Sequence, residues 1–144
     1  MEKPVETIYT AINGSRNILE FAKNKRLEGM VYLSSLEIYG VNQKENIKEE
    51  DYGYIDILNP RSSYSESKKM VETMCISYGT EYGVPVKIAR LAQTFGAGVS
   101  ISDNRVFAQF AKAIINKENI VLHTKGETKR NYCYTTCLLY TSPS

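Results

Sequence analysis

Tyr64 and Lys68 lie four residues apart, and this pair has the spacing in the chain that best suits acid–base chemistry. Residues at i and i+4 of a helix share one face, so both side chains can point at the same bound molecule. A phenol has an ordinary pKa of about 10 and is a poor base at neutral pH, but a nearby cationic lysine favours its phenolate form. The pair therefore predicts that Tyr64 acts as a proton acceptor. The spacing alone is weak evidence, because a chain with 11 tyrosines contains about one such match by chance.

Four segments give the pair a context. In chain order the segments are residues 10–20, 31–35, 59–64 and 89–96. The first opens a helix, and the second is an apolar strand that ends in two serines. The third leads into the Tyr64 helix, and the fourth ends the next strand. Their order and spacing resemble the extended short-chain dehydrogenase/reductases, in the NAD-dependent nucleotide-sugar epimerase and dehydratase family. The resemblance runs over residues 4–136 and is closest to the branch of UDP-glucuronate decarboxylases and 4,6-dehydratases. It implies a Rossmann-like fold, an NAD cofactor and a nucleotide-sugar substrate.

The resemblance also implies a role for each matching residue. Ser35 would hydrogen-bond the substrate hydroxyl that is oxidised, Tyr64 would take its proton, and Lys68 would also hold the nicotinamide ribose. This first step would give a 4-keto sugar nucleotide. The resemblance also implies contacts to the cofactor from Thr10, Ser34, Tyr64 and Ala92. The implied contacts to the substrate are from Gln93, Arg105 and Arg130, the last as a phosphate ligand.

Glu37 bears on the reaction step after the oxidation. It lies two positions after Ser35, where dehydratases and decarboxylases of this family carry an acidic residue and simple 4-epimerases commonly do not. A carboxylate there can act as acid or base in an elimination, or can position a substrate carboxylate for loss. We therefore expect a decarboxylase or dehydratase, with a 4-epimerase as the alternative and a solvated loop residue as the other interpretation of Glu37. Gln93 in place of the usual Asn, and Thr10-Ala11 in place of another Asn, leave the sugar open.

Two other classes of function stay open. The sequence contains no Gly-x-x-Gly-x-x-Gly turn to bind the dinucleotide pyrophosphate, and the match begins in the middle of the family pattern. We therefore expect a fragment without the N-terminal strands and most of the C-terminal substrate domain, and for these 144 residues alone we favour no independent function. A non-catalytic relative that binds a dinucleotide or a protein is the other alternative. The presence of Ser35, Tyr64 and Lys68 argues against it.

The predicted domain organisation has three parts. Residues 1–100 are expected to form the C-terminal part of the dinucleotide-binding domain, and residues 101–136 the start of the substrate-binding region with returning strands. Residues 137–144 resemble one reading frame of a transposase adapter used in sequencing libraries, and we exclude them from the expected fold. A natural apolar C-terminal strand is the less favoured interpretation.

Composition predicts an ordinary soluble, cytoplasmic segment. Charged residues make up 24% of the chain and the net charge is +2, too balanced to indicate a nucleic acid or a membrane as partner. No apolar run approaches the ~20 residues of a membrane span. No metal is expected, since Cys75 suits a buried helical position, His123 an apolar strand, and the cysteines lack metal-ligand spacing. The family resemblance adds the expectation of a homodimer packed through the Tyr64 helix.

The hydrophobic pattern predicts alternating helices and strands. Helices are expected over residues 4–23, over residues 63–82 with Gly83 at the end, and from Asn104 as N-cap to residue 114. Strands are expected over residues 30–34, buried on both faces of a sheet, and over residues 84–91, with short extended pieces at 120–123 and 132–134. Residues 41–59 have the pattern of a loop. The predicted fold is α/β, part of a doubly wound parallel sheet.

Overall fold

The computed structural model describes residues 3–44, 46–122, 124–127 and 130–141, which form two units divided after Leu91. The first unit contains α1 (Pro4–Lys25), β1 (Met30–Ser35), a 3-10 helix (Leu36–Tyr39), α2 (Ser62–Tyr82) and β2 (Val86–Leu91). The second contains β3 (Gln93–Phe95), α3 (Val106–Asn116), β4 (Tyr132–Tyr134) and α4 (Thr135–Thr141). The parallel strands with intervening helices confirm the predicted α/β class. In the described part of the chain, no helix is both long and apolar enough to cross a membrane.

Strands β1 and β2 pair in parallel, with Met30 opposite Val86 and Ser35 opposite Leu91. The expected burial of β1 on both faces is wrong, because Val31 and Leu33 are 60% and 57% exposed. Tyr32, on the other face, packs against the core. Only one face of the two-stranded sheet is covered by described elements of this unit, so alternate side chains of β1 face solvent.

Helix α2 contributes two buried residues to the core cluster of the first unit. Val71 and Cys75 are buried and pack with Leu19 of α1, which confirms the predicted inner face of α2 and the interpretation of Cys75 as a small core hydrophobe. Burial raises the pKa of the Cys75 thiol. The helix ends, as predicted, at Gly83, whose φ of 70° is the left-handed conformation that glycine adopts without strain.

Only some of the apolar side chains of α1 are buried. Leu19 and Ala22 are buried, but Val5 and Tyr9 near its start are 63% and 65% exposed. The helix runs two residues beyond its predicted end, to Lys25, and the left-handed Arg26 terminates it. A hydrogen bond from the Tyr78 hydroxyl to Glu20 Oε1, at 2.5 Å, joins α1 to α2.

The segment after β1 contains more structure than the expected loop. The 3-10 helix forms because Ser35 Oγ accepts a hydrogen bond from the backbone of Glu37, a local bond that favours a turn. Val41 and Tyr54 form an antiparallel bridge that closes the loop. Gly53 N donates to Tyr39 O at 2.9 Å, and a Cβ at position 53 would lie 2.3 Å from Val41 O. The loop is therefore fastened to the end of the 3-10 helix by a contact that only glycine allows.

In the second unit, β3 and β4 pair in parallel, which confirms the extended piece at 132–134. Asn104 as N-cap of α3 is wrong: Arg105 occupies that position, and the Asp103 carboxylate accepts from its backbone N–H. No strand is present at residues 120–122, and His123 lies outside the described residues. The predicted domain boundaries stay a prediction.

Candidate active site

The start of α2 is fixed by the loop that precedes it. Asn59 Oδ1 accepts from the backbone N–H of Arg61, and Ser62 Oγ donates to Asp56 O at 2.6 Å. These local bonds turn the chain into the helix one residue earlier than predicted, at Ser62. Tyr64 and Lys68 therefore lie on its first two turns, on one face, and both are half-buried.

Lys68 crosses from α2 to β1. Its Nζ donates to Leu33 O at 2.8 Å and lies 4.9 Å from the centroid of the Tyr32 ring and 5.8 Å from that of Tyr64. Burial lowers the pKa of Lys68, and the charge of Glu72 one turn further along α2 opposes that shift. The Lys68 ammonium thus lies between the end of β1 and the rings of Tyr32 and Tyr64.

Ser35 is the last residue of β1, and one hydrogen bond determines whether its hydroxyl acts as donor or acceptor. Its Oγ accepts from Glu37 N at 3.2 Å, so the hydroxyl proton is left to donate to another group. The Glu37 side chain is exposed in the first turn of the 3-10 helix. The structure therefore puts a hydroxyl donor and a solvent-accessible carboxylate at the carboxyl end of β1.

Ser34 carries a buried hydroxyl with no hydrogen-bond partner among the residues that the structure describes. The residue is 5% exposed. Leaving such a group unsatisfied costs about 1–3 kcal/mol, so buried orphan hydroxyls mark places where a ligand or water can bond. An orphan hydroxyl beside Ser35 fits the expected contact of Ser34 with a cofactor.

A groove of about 510 Å³ runs between α1 and α2. It brings three of the predicted residues together, since Thr10 of α1 lines it opposite Tyr64 and Lys68 of α2. The remaining walls are Lys3, Glu6, Thr7, Ala11 and Ser67. A cation and several hydroxyls in one groove are groups that can hold the ribose of a nicotinamide nucleotide, so the residues present fit that end of NAD.

The four other predicted residues belong to the second unit. Ala92 O accepts from Thr94 Oγ1, Gln93 is half-buried opposite Tyr132, and Arg130 is exposed just before β4. Arg105 is already engaged, because its Nε lies 2.9 Å from Asp103 Oδ2 and its guanidinium lies 4.7 Å from the centroid of the Phe107 ring. These hydrogen bonds lower the pKa of Asp103 to about 2. A phosphate at Arg105 would have to compete with this carboxylate.

Sequence reasoning missed a buried ion pair between Glu72 of α2 and Arg90 of β2. Arg90 Nη2 lies 2.8 Å from Glu72 Oε2, and Nε contacts both carboxylate oxygens at 3.1 and 3.2 Å. The pair raises the pKa of Arg90. The available signal was an arginine within an apolar strand, since charged side chains are almost never buried without a partner. In the described part of the chain, no group of three His, Cys, Asp or Glu side chains could hold a metal.

Comparison with known proteins identifies the family of the chain. Residues 1–136 match the NAD dependent epimerase/dehydratase family. Among curated proteins, the chain is 32% identical over 139 residues to UDP-glucuronic acid decarboxylase 1 of Xenopus tropicalis, a match that covers 96% of this chain and 33% of that protein. The chain thus spans about a third of the length of the curated relatives it matches first.

Solved structures give the same fold. A UDP-N-acetylglucosamine 4-epimerase from Methanobrevibacter ruminantium M1, in complex with UDP-N-acetylmuramic acid, superposes with a TM-score of 0.81 at 25% identity, over 92% of this chain and 42% of that one. The UDP-glucose 4-epimerase of Thermus thermophilus, in complex with NAD, gives a TM-score of 0.77 at 26% identity, over 96% of this chain and 46% of that one.

Proposed function

The chain belongs to the NAD-dependent epimerase/dehydratase family, and from that membership we propose that it is part of a nucleotide-sugar decarboxylase or dehydratase acting through a transient 4-keto sugar. The observation that carries the choice of reaction is the position of Glu37, whose carboxylate is exposed while its backbone N–H is bonded to Ser35. The similarity to UDP-glucuronic acid decarboxylases supports the same choice. Because the chain covers a third of such relatives, the activity is proposed for a longer protein that contains it.

In the proposed first step, Ser35 donates its hydroxyl proton as a hydrogen bond to the C4 oxygen of the sugar. Tyr64, as phenolate, takes the proton of that C4 hydroxyl, so that the C4–O bond can become a carbonyl. Lys68 is proposed to hold a ribose hydroxyl and to supply a positive charge on the same helix face as Tyr64, whose ring centroid lies 5.8 Å from Nζ. NAD, when bound, supplies the hydride acceptor for the hydrogen on C4.

Three residues are proposed to hold the nicotinamide end of NAD in this chain: Lys68, Thr10 and Ser34. The first two share the groove between α1 and α2, and Ser34 offers its orphan hydroxyl. Ala92 is proposed to contribute from the second unit. Gln93, Arg105 and Arg130 are the proposed contacts to the nucleotide sugar, and of these Arg130 is the exposed guanidinium suited to a phosphate.

Glu37 is proposed to act in the second step. The 4-keto group makes the neighbouring C5 position acidic, so a carboxylate can assist the loss of water, and the same ketone accepts the electron pair left by departing carbon dioxide. In decarboxylation the electrons of the C5–C6 bond form a C4–C5 enolate, which is then protonated at C5. In dehydration the electrons of the C5–H bond form the same enolate, which expels the C6 hydroxyl as water once that group is protonated. The hydride removed in the first step would then return to C4 after decarboxylation or to C6 after dehydration, so that the overall reaction is redox-neutral. A general acid–base group at this point contributes about 10²- to 10⁴-fold in rate.

A nucleotide-sugar 4-epimerase is the second candidate. The observation that favours it is the TM-score of 0.81 with a solved 4-epimerase, and an exposed Glu37 is compatible with a role outside catalysis. An epimerase would return hydride to the opposite face of the 4-keto sugar without breaking another bond. The two candidates therefore differ only in the fate of the sugar after oxidation.

The proposed oligomer is a homodimer packed through α2. Large apolar side chains on α1 and α2 support it, since Phe21, Met70 and Ile76 are each more than half exposed in one copy of the chain. Exposed apolar side chains on these helices are available to pack against a second copy of the chain.

The function is tested with the full-length protein that carries this chain. UDP-glucuronate, dTDP-glucose and UDP-glucose are each supplied with NAD, and proton NMR distinguishes decarboxylated, dehydrated and 4-epimerised products. We expect decarboxylation or dehydration, slowed by ~10²- to 10⁴-fold in Tyr64→Phe and retained in Tyr82→Phe, the same chemical change at the far end of α2. Epimer alone would favour the second candidate, and a folded protein that converts none of these substrates would support a non-catalytic relative.

A further inference from the structure

We propose that Arg90 is a positioning residue that fixes the 3-10 helix, and with it Glu37, relative to Tyr64 and Lys68. The proposal deepens the proposed function and rests on it. It starts from one guanidinium that contacts three separate elements of the first unit: α2, the 3-10 helix and the loop after that helix.

The contacts of Arg90 use the donors of the guanidinium in a fixed geometry. Nε and Nη2 bind the Glu72 carboxylate, Nη1 donates to the Tyr39 hydroxyl at 3.2 Å, and Nη1 also donates to Glu49 O at 2.6 Å. The guanidinium further lies 5.1 Å from the centroid of the Tyr39 ring and 5.8 Å from that of Tyr52. Only a planar side chain with five N–H donors can satisfy a carboxylate, a phenol and a carbonyl together, so lysine is not an equivalent residue here.

Burial argues that this pair does more than hold the fold together. The Glu72 and Arg90 side chains are 8% and 16% exposed. Removing two charges from water is costly, and replacing a buried ion pair with apolar side chains is often neutral or stabilising. A buried pair is therefore weak evidence for stability, and its value lies in the geometry that it imposes.

The Glu72–Arg90 pair lies next to the residues of the proposed site. Glu72 is one helical turn after Lys68, and Arg90 is directly opposite Ser34 in the strand register. Helix α2 is thus fastened to the sheet at two adjacent points: Lys68 to Leu33 O on β1, and Glu72 to Arg90 on β2. Together these contacts oppose rotation and sliding of α2, and so hold Tyr64 in place.

The remaining contacts carry the constraint to Glu37. Tyr39 ends the 3-10 helix two residues after Glu37, and its carbonyl accepts from Gly53 N. Arg90 holds the Tyr39 hydroxyl on one side and Glu49 O of the loop on the other. Loss of Arg90 releases the 3-10 helix and the loop together, whereas Ser35 keeps its place in β1 through the strand pairing.

The expected consequence is a selective defect in the second step. Oxidation needs Ser35, Tyr64 and Lys68, whereas the later loss of water or carbon dioxide needs Glu37. A displacement of about 1 Å at a reacting group can cost roughly 100-fold in rate. We therefore expect Arg90 variants to slow the step that uses Glu37 more than the first oxidation.

The test compares Arg90→Lys, Tyr39→Phe and Glu72→Gln in the full-length protein, with Glu66→Gln as the control. Glu66 is on the same helix and loses only a partly exposed pair with Lys69.

The readout is the ratio of reduced cofactor accumulated to final product formed. A variant that merely unfolds part of the sample lowers both amounts and leaves their ratio unchanged. We expect the ratio to rise about tenfold or more in Arg90→Lys and less in Tyr39→Phe; a wild-type ratio in folded Arg90→Lys and Tyr39→Phe overturns the proposal.

A second measurement requires no turnover, and it tests whether Arg90 fixes the 3-10 helix even when activity is low or Arg90→Lys folds poorly. Hydrogen exchange is followed at the backbone amides of Gly40 and Gly53, which bond within the 3-10 helix and loop, and at the buried part of α1 around Leu19. In Tyr39→Phe we expect faster exchange at Gly40 and Gly53 with α1 unchanged. Equal acceleration in all three places would reveal general destabilisation and overturn the proposal, as would no change at Gly40 and Gly53. Absence of product from the wild-type protein, by contrast, contradicts the proposed function.

Discussion

Ser35 and Glu37 are joined by a single local hydrogen bond, from the backbone N–H of Glu37 to Ser35 Oγ at 3.2 Å. The bond uses the backbone of Glu37 and leaves its side chain exposed. Substitution of the Glu37 carboxylate therefore preserves the polarity of the Ser35 hydroxyl. This separation allows the two proposed steps to be tested independently.

Glu37→Gln is expected to retain the first oxidation and to stall the second step. The amide keeps the size of the side chain but cannot act as a base at neutral pH. Reduced-cofactor absorbance should therefore appear on mixing with the nucleotide sugar while decarboxylated or dehydrated product stops forming. An unchanged product profile would assign Glu37 to the solvated loop and favour the 4-epimerase.

Tyr64→Phe removes one hydroxyl from the groove between α1 and α2. We expect NAD binding close to that of the wild type and turnover lower by ~10²- to 10⁴-fold, the usual effect of losing an acid–base group. Stopped-flow turnover and calorimetric NAD affinity measure the two quantities separately. Tyr82→Phe on the same helix serves as the control, and a Tyr64→Phe protein with turnover like that control would contradict the role of Tyr64 as proton acceptor.

Tyr32 presents its ring to Lys68, whose Nζ lies 4.9 Å from the ring centroid. Burial raises the pKa of Tyr32 to about 12, so its phenol stays neutral at physiological pH and cannot serve as the base. Tyr32→Phe keeps the ring under the ammonium and should retain most activity. Tyr32→Leu removes a cation–π contact of about 0.5–2 kcal/mol and should lower turnover per folded molecule, measured after correction for the folded fraction by circular dichroism. Equal activity of the two variants would show that the ring has no part in positioning Lys68.

The 144 residues alone are expected to be marginally stable. Val31 and Leu33 of β1 are more than half exposed, and among the described residues only Leu19, Ile38, Val71 and Cys75 are large side chains buried almost completely. Complete domains are stable by only ~5–15 kcal/mol, so such a small core leaves little margin. We predict an aggregated or molten chain that binds NAD no better than millimolar. A cooperative thermal transition with micromolar NAD affinity by calorimetry would show that these residues form a self-sufficient domain.

The sequence was most informative where the spacing is local. The i, i+4 relation of Tyr64 and Lys68 and the inner face of α2 depend only on helix geometry, and the helix, its Gly83 end and the parallel pairing of β1 are all present. By contrast, the partner of Arg90 is Glu72, 18 residues earlier on another element. No local pattern distinguishes this glutamate from its exposed neighbours on the same helix.

Errors arose where tertiary contacts or neighbouring side chains decide the outcome. Asn104 has the right residue type for an N-cap, but the Asp103 carboxylate takes the Arg105 N–H, and the Asn104 carbonyl accepts from Gln109 instead. The apolar residues at the start of α1 follow helical periodicity, but they stay exposed because no described element of the first unit packs over them. Periodicity predicts which face of an element could be buried, but not whether a covering surface is present.

The bond from Lys68 to Leu33 O has a consequence for the entropy of ligand binding. A lysine free in solvent samples many rotamers, and immobilising such a side chain on association costs about 0.5–1.5 kcal/mol. Here the loss of rotameric freedom accompanies the docking of α2 on β1, before any ligand is present. The ammonium still has two N–H groups free of this bond, so an incoming sugar hydroxyl meets a donor that is already oriented.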